Sequence, residues 1–454
     1  MSQTSFSHGR RDRSWKRVCL MLLLAASRMA AAQELTFRPD DRILVLAPHP
    51  DDEVIGCGGV IQKALAQKLP VRVVFFTYGD NNEWSFAVYR KHPVFEPTAV
   101  RAMGQIRHDE AVRADQILGL NSNQLVFLGY PDFGTLKIWN QHWGKSPALE
   151  SMLTRVSEVH YANAFRPGAP YKGEEIIRDL TTILRDFRPT KIFLPHSGDY
   201  NHDHRALHLF TRVALWNIEK EMQPAVFPYL VHFPQWPQPR GYKPAGLLTP
   251  PLLYKTSAAW TSSSLTPAET ATKHAAIQTH KTQYNYAANY LLSFVRANEL
   301  FGDFPAVTLT NMTALEDLGN VTTEQLTDEE RSRFVGVEQR SARIVGTNLV
   351  LEIELSRPLA ETVIASLYAF GYRQDTPFEK MPKLQIRVHL LDHHVLDQRT
   401  PLPADTVSVE RNRKKIIVRI PLELLGRPER ILTSAQTYLG EVPLDSVAWR
   451  ILEL

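Results

Sequence analysis

Between residues 40 and about 230, short apolar runs alternate with longer amphipathic stretches, and that order leaves few architectures open. Strand-like runs occupy 43–47, 71–76, 124–128 and 191–194; helix-like stretches fall near 58–68, 101–118, 174–186 and 203–217. The alternation predicts a Rossmann-like, mostly parallel α/β sheet with helices on both faces. Gly119 stands where the second helix should stop. In such sheets ligands bind beyond the carboxyl ends of the strands. Each predicted strand runs there into a polar segment, at 49–53, 77–83, 130–134 and 196–204.

The pattern then changes. Residues 228–262 are rich in Pro and Trp and read as an irregular, aromatic-lined excursion; it and the loop around Trp84, Ser85 and Phe86 are expected to shape the choice of substrate. A helical stretch over 267–283 follows. From about 310 apolar and polar residues alternate with period two, as in Leu349, Leu351, Ile353 and Leu355 or Leu384, Ile386, Val388 and Leu390. This predicts a C-terminal antiparallel β-sandwich. The polar stretch 305–330 separates the two patterns, so the expected domains are 33–310 and 311–454. Asn311 and Asn320 are formal glycosylation acceptors.

The first 32 residues differ from both. Five basic residues between Arg10 and Arg17 precede an apolar stretch, 18–26, that ends in Ala30-Ala31-Ala32. That order is the order of a secretory signal peptide cut before Gln33. The expected protein is therefore exported, to a periplasm or the exterior, with no membrane span once the leader is removed. The leader carries six Lys/Arg against Asp12, a net +5; the whole chain is +4, which leaves −1 beyond residue 32. Nucleic-acid binding thus has no electrostatic support. Cys19 leaves with the leader, so Cys57 stands alone and is expected to be a small buried residue.

The run Ala47-Pro48-His49-Pro50-Asp51-Asp52-Glu53 sits directly behind the first strand. Imidazole with carboxylate is a zinc-type ligand set, and a second carboxylate beside it suits a general base. A catalytic zinc site needs three protein ligands and an open position. The third can come from Pro195-His196-Ser197-Gly198-Asp199-Tyr200-Asn201-His202-Asp203-His204-Arg205, at the end of another strand. His204 is the candidate, with His202 and His208 as competitors.

Together the first motif and Asp203-His204-Arg205 resemble the PIG-L/LmbE-like zinc-dependent de-N-acetylases, which act on N-acetylglucosaminyl groups of lipids, thiol conjugates and related glycosides. The resemblance covers about residues 40–300. It includes Gly56–Gly59, Arg107-His108-Asp109-Glu110, Gly129-Tyr130-Pro131-Asp132 and His280-Lys281-Thr282-Gln283. It implies that His49, Asp52 and His204 bind Zn2+ or another divalent metal, that Asp51 is the general base, and that Asp203 orients the histidine region. Arg107, Asp132 and His280 would meet the substrate, an N-acetylated sugar or glycoside. The family often has His-Pro-Asp-His where this chain has Asn201-His202-Asp203-His204, so Asn201 and His202 are catalytic candidates in place of an oxyanion-stabilising or acid histidine. The C-terminal region resembles, more weakly, family-9-like carbohydrate-binding sandwiches, which would give it a glycan ligand; Trp449 is expected in the core.

Two rival readings remain. Gly56-Cys57-Gly58-Gly59 suggests a dinucleotide-binding turn, but Ile61 stands where the third glycine is required. A non-catalytic glycan-binding protein that kept the fold is the other.

Overall fold

The computed structural model describes residues 32–81, 96–309, 313–315, 327–440 and 442–454. The expected leader, 1–32, except its last residue, the 84–86 loop and the acceptor sites Asn311 and Asn320 lie outside the described residues. No helix among the described residues is long and apolar enough to cross a membrane.

Strands β1 (Gln33–Glu34), β2 (Ile43–Ala47), β3 (Val71–Thr77), β4 (Leu125–Tyr130), β5 (Lys191–Pro195), β6 (Ala225–Tyr229), β7 (Ala259–Ser264) and β8 (Asn298–Asp303) form one sheet, in the order β1-β7-β8-β6-β5-β2-β3-β4. From β4 to β6 every pairing is parallel; β8 runs antiparallel to β6 and β7. Helices α1 (Asp52–Ala66), α2 (Pro97–Leu118), α3 (Thr135–Gln141), α4 (Gly173–Phe187), α5 (His202–Asn217), α6 (Pro267–Ile277) and α7 (Lys281–Leu291) cover it. All five residues of β2 are buried. Ile43, Val45 and Ala47 join the core under α1, α2 and α6, while Leu44 and Leu46 join the core under α4 and α5. A strand covered on both faces must be apolar throughout, which is why it reads as a continuous run.

Three local expectations need correction. Helix α1 begins at Asp52, six residues before the predicted start, because Gly56, Gly58 and Gly59 serve close packing rather than a turn. A Cβ on Gly56 would lie 2.6 Å from the Tyr229 ring. The helix expected over 267–283 is two helices, broken at His280. Strands β6, β7 and β8 also extend the sheet beyond the four strands predicted, drawing both ends of the aromatic excursion into it.

The C-terminal region forms two further sheets. One runs β10-β11-β12-β18-β17, from β10 (Thr313–Ala314), β11 (Val337–Val345), β12 (Asn348–Leu355), β17 (Ser408–Asn412) and β18 (Lys415–Pro421). The other runs β16-β15-β14-β13-β19-β21-β9, from β9 (Val307–Thr308), β13 (Val363–Tyr372), β14 (Lys383–Val388), β15 (His393–Asp397), β16 (Thr400–Leu402), β19 (Arg430–Leu439) and β21 (Arg450–Glu453), with β20 (Val442–Ser446) on β19. Apart from β21 with β9 the pairings are antiparallel. Val307–Thr308 already pairs within this sheet, inside the polar stretch 305–330 and a few residues before the expected boundary at 310.

Candidate metal centre

Chain order in the parallel part runs outward from β2 through β3 to β4, and on the other side from β5 to β6. The crevice between β2 and β5 is therefore the topological switch point, where ligand sites of open α/β sheets form. His49, Asp51 and Asp52 follow β2, and Asp199 to His204 follow β5. The fold thus brings together two segments about 150 residues apart.

Local structure aims each group. The His49 backbone N–H donates to Asp52 Oδ2 (3.0 Å) and the Asp52 N–H to the His49 carbonyl (3.2 Å), closing a tight turn. The first turn of α1 holds Asp52 and Glu53, where the helix dipole favours carboxylates. Asp51 adopts φ 132°, a backbone region costly for any residue but glycine, with its N–H bound to Glu53 Oε2 at 2.9 Å. Helix α5 opens on Asn201, whose Oδ1 accepts the Asp203 N–H at 2.8 Å as an N-cap.

Around this frame His49 Nδ1 and His204 Nε2 each lie 3.1 Å from Asp52 Oδ2. Behind each ring stands a further carboxylate. His49 Nε2 is 3.1 Å from Asp132 and 3.3 Å from Asp203; His204 Nδ1 is 3.2 Å from Asp199. Burial alone would lower the His204 imidazolium, but Asp199 and Asp52 overturn it and raise its pKa to about 9. His49 is likewise disfavoured by burial and then raised well above the usual range by Asp132, Asp203 and Asp52. Asp52, despite burial, is held well below the carboxylate range by His204 and His49. The pocket therefore demands positive charge at its centre.

A divalent cation meets that demand and fits the donors. One ring nitrogen of His49, one Asp52 oxygen and one ring nitrogen of His204 lie within 4.8 Å of one another. His204 Nε2 is buried, 3.1 Å from Asp52 Oδ2 but in a geometry that makes no hydrogen bond with it. Metal-bound imidazoles characteristically have a carboxylate on the other ring nitrogen, and both histidines do. A second triad, His49, Asp132 and Asp203, shares His49. Its Asp203 is occupied by the Phe133 N–H (2.6 Å), the Thr135 N–H (3.2 Å) and the Thr135 hydroxyl, which suits it to orienting His49 rather than to ligation.

The other expected site residues take varied places. Asn201 is committed through Oδ1 to capping, and His202, first in α5, lies outside both ligand clusters. His208 donates from Nδ1 to the Pro195 carbonyl (2.9 Å) and accepts Arg212 Nε (3.3 Å), so it is not free to compete. Arg107 is buried and donates to the carbonyls of Gly79 (2.9 Å) and Pro50 (2.8 Å), with Asp51 at 3.5 Å. Burial raises Asp51 to about 7, against the pull of the Arg107 charge. Asp132 accepts the Asn81 N–H through Oδ2 and faces His49 with Oδ1. His280 is buried beneath the site, 3.5 Å from Glu53.

Sequence reasoning passed over Asp199, Thr135, Phe133 and His232. Asp199 lies inside a quoted motif, and only the fold shows it facing His204. His232 follows β6 at the same rim and meets the His204 ring at 4.8 Å; recognising β6 as a strand would have found it. Phe133 stands 6.4 Å from the His49 ring with half its surface exposed.

Residues 44–215 match the family described as PIG-L: GlcNAc-PI de-N-acetylase, so this part of the chain, containing both ligand segments, is a PIG-L domain. No curated protein matches the chain. Among solved structures, it is similar to N,N'-diacetylchitobiose deacetylase from Pyrococcus horikoshii at 18% identity, covering 63% of this chain and 92% of that one, with TM-score 0.36. The A40926 pseudoaglycone deacetylase Dbv21 is similar at 16% identity over 58% and 96%, TM-score 0.37. A conserved protein from Thermus thermophilus is similar at 21% over 56% and 84%, TM-score 0.32.

Proposed function

We propose that this protein is a metal-dependent N-deacetylase that removes the acetyl group from an N-acetylated amino sugar or related glycoside, releasing acetate and a free amine. The observation that carries the reading is the His49–Asp52–His204 cluster at the β2/β5 crevice, with Asp51 beside it, inside a PIG-L domain. The leader pattern supports export, which points toward envelope or extracellular glycans as substrates.

His49, Asp52 and His204 would hold zinc or a similar divalent cation, which when bound supplies Lewis acidity to water and to the amide carbonyl. The rest follows from the chain's own groups. Asp132 and Asp203 fix the His49 ring, and Asp199 fixes that of His204. Asp51, adjacent to a ligand but not itself in the cluster, takes a proton from the attacking water and returns it to the departing amine nitrogen. Arg107 holds the Pro50 carbonyl and so keeps that carboxylate aimed. Asn201, with its oxygen committed to α5, retains an amide that donates but cannot serve as an acid. Phe133 offers a half-exposed ring beside His49, suited to the apolar face of a pyranose.

Acetate release from a panel of N-acetylated sugars, with chelator and with restored zinc, tests this. Release that stops with chelator and returns with metal is expected. Stoichiometric metal binding without release from any substrate would favour a glycan-binding protein.

A further inference from the structure

Arg205 is among the largest fully buried side chains of the molecule, 1% exposed, and among the described residues no carboxylate pairs with it. A buried guanidinium without a counter-ion is costly unless its hydrogen bonds are well placed. Its Nε donates to the Asp199 carbonyl. Nη1 donates to the Ser446 hydroxyl and Nη2 to the Ser446 carbonyl (3.2 Å), across 241 residues of sequence. The guanidinium also lies over the Tyr200 ring at 5.6 Å. Ser446 is the last residue of β20, and its hydroxyl is held from the other side by Gln436 of β19 (2.9 Å). Arg205 therefore joins the loop before α5 to the C-terminal sheets.

That loop carries the group behind His204. The Asp199 carboxylate accepts the N–H groups of Asn201, Val231 and His232, each at 2.9 Å, and faces His204 Nδ1 at 3.2 Å. The peptide of residue 199 is thus pinned at both ends, its side chain on the ligand and its carbonyl on Arg205. The anchor on the far side is firm. Trp449 and Phe370 pack on Trp139, with ring centroids 6.0 and 5.7 Å away, and Arg430 pairs with Glu219 at 2.9 Å.

We propose that Arg205 is a positioning residue through which the C-terminal β-sandwich sets Asp199, and through it His204, so that this module is part of the metal centre. The inference rests on the reading of His49, Asp52 and His204 as metal ligands. It requires no glycan at the sandwich; among the described residues there, no Trp, Tyr or Phe is exposed.

The test uses the full chain, wild type against Arg205→Lys and Ser446→Ala. Lysine keeps the charge but, as a point donor, cannot hold Asp199 and Ser446 in one planar fork. Zinc affinity is measured by competition with a chromophoric chelator, geometry by the visible spectrum of the cobalt-loaded protein, and fold by the melting of the metal-free protein. Expected are a loss of zinc affinity of about tenfold in Arg205→Lys and about threefold in Ser446→Ala. Both should shift the cobalt bands in the same direction. Should Arg205→Lys fail to fold, Ser446→Ala decides alone, since its substitution lies in the other module. Wild-type zinc binding with unchanged affinity and cobalt spectrum in the folded variants overturns the proposal. A wild type that binds no zinc overturns the underlying ligand reading as well, and the two failures are thereby distinct.

Discussion

Asp51, the proposed proton carrier, holds the least ordinary backbone of the site. Its φ of 132° costs about 1–3 kcal/mol for a residue with a side chain, and it persists because Glu53 holds the N–H and Arg107 the preceding carbonyl. If the carboxylate is the proton carrier, Asp51→Asn keeps zinc and loses turnover by about 100-fold or more. Asp52→Ala loses zinc as well. Metal content and acetate release measured on the same preparations separate the two, and full activity in Asp51→Asn would remove the assignment. Phe133 makes a different demand. Truncating its ring to alanine is expected to raise KM for N-acetyl sugars by about five- to tenfold with kcat little changed. Phe133→Tyr should restore binding, and a small acetamide without a sugar ring should show no difference. Sequence made His49, Asp51, Asp52 and His204 candidates because their types and spacing suit metal chemistry, and the fold brings all four to one rim. Phe133 and Asp199 were not, since a lone aromatic or acid acquires meaning only from what the fold sets beside it.

At the level of elements, the strands that build the crevice could be read from sequence because burial on both faces leaves unbroken apolar runs. Helix α1 was read less well. Three glycines in four positions argue against a helix by about 1 kcal/mol each relative to alanine, yet Gly56 sits where Tyr229 leaves no room for a Cβ. Gly56→Ala should therefore destabilise the protein by about 1–3 kcal/mol, against its helix propensity; a raised denaturant midpoint would show that propensity wins. Helix α5 carries a pH dependence of its own. Burial, and then the Arg212 charge, lower His208 to about 3, and its two hydrogen bonds require the neutral ring. The unfolded chain takes up a proton near pH 6.5 that the folded chain refuses down to about 3. The stabilising contribution is thus complete above about pH 6.5 and lost as pH falls, by at most about 1.4 kcal/mol per unit. His196 and His232, both lowered to about 4 mainly by burial, act with the same sign. Urea midpoints at pH 7.5 and 5.5 should fall less for His208→Asn than for wild type; equal falls would mean that His208 is not held neutral.

For the molecule as a whole, the sequence divides into an α/β part and a β part, but packing does not respect the division. All ten residues of β13 are buried, and its two faces serve different cores. Val363, Ala365, Leu367 and Ala369 fill the inside of the sandwich. Tyr368, Phe370 and Tyr372 point the other way, into the core that also holds Leu44, Leu46, Trp139 and Phe210. Trp449 joins that second core, in edge contact with Trp139 and tilted against Phe370. Alternation in sequence reveals that a strand has an inner face. It does not reveal that the outer face meets a helix more than 200 residues away, so an accessory module and an integral one look alike. The distinction is measurable. A separate module would give a second calorimetric transition, and Trp449→Ala would move that one alone. With one core shared between the parts, a single transition is expected, and Trp449→Ala should lower it by about 3–5 kcal/mol of stability, as for a large buried aromatic. Metal bound only by the folded α/β part should then raise that same transition, because the proposed ligation at His49, Asp52 and His204 would stabilise whatever unfolds together with them. Two transitions, with zinc shifting only one, would return the β-sandwich to the status of an appendage.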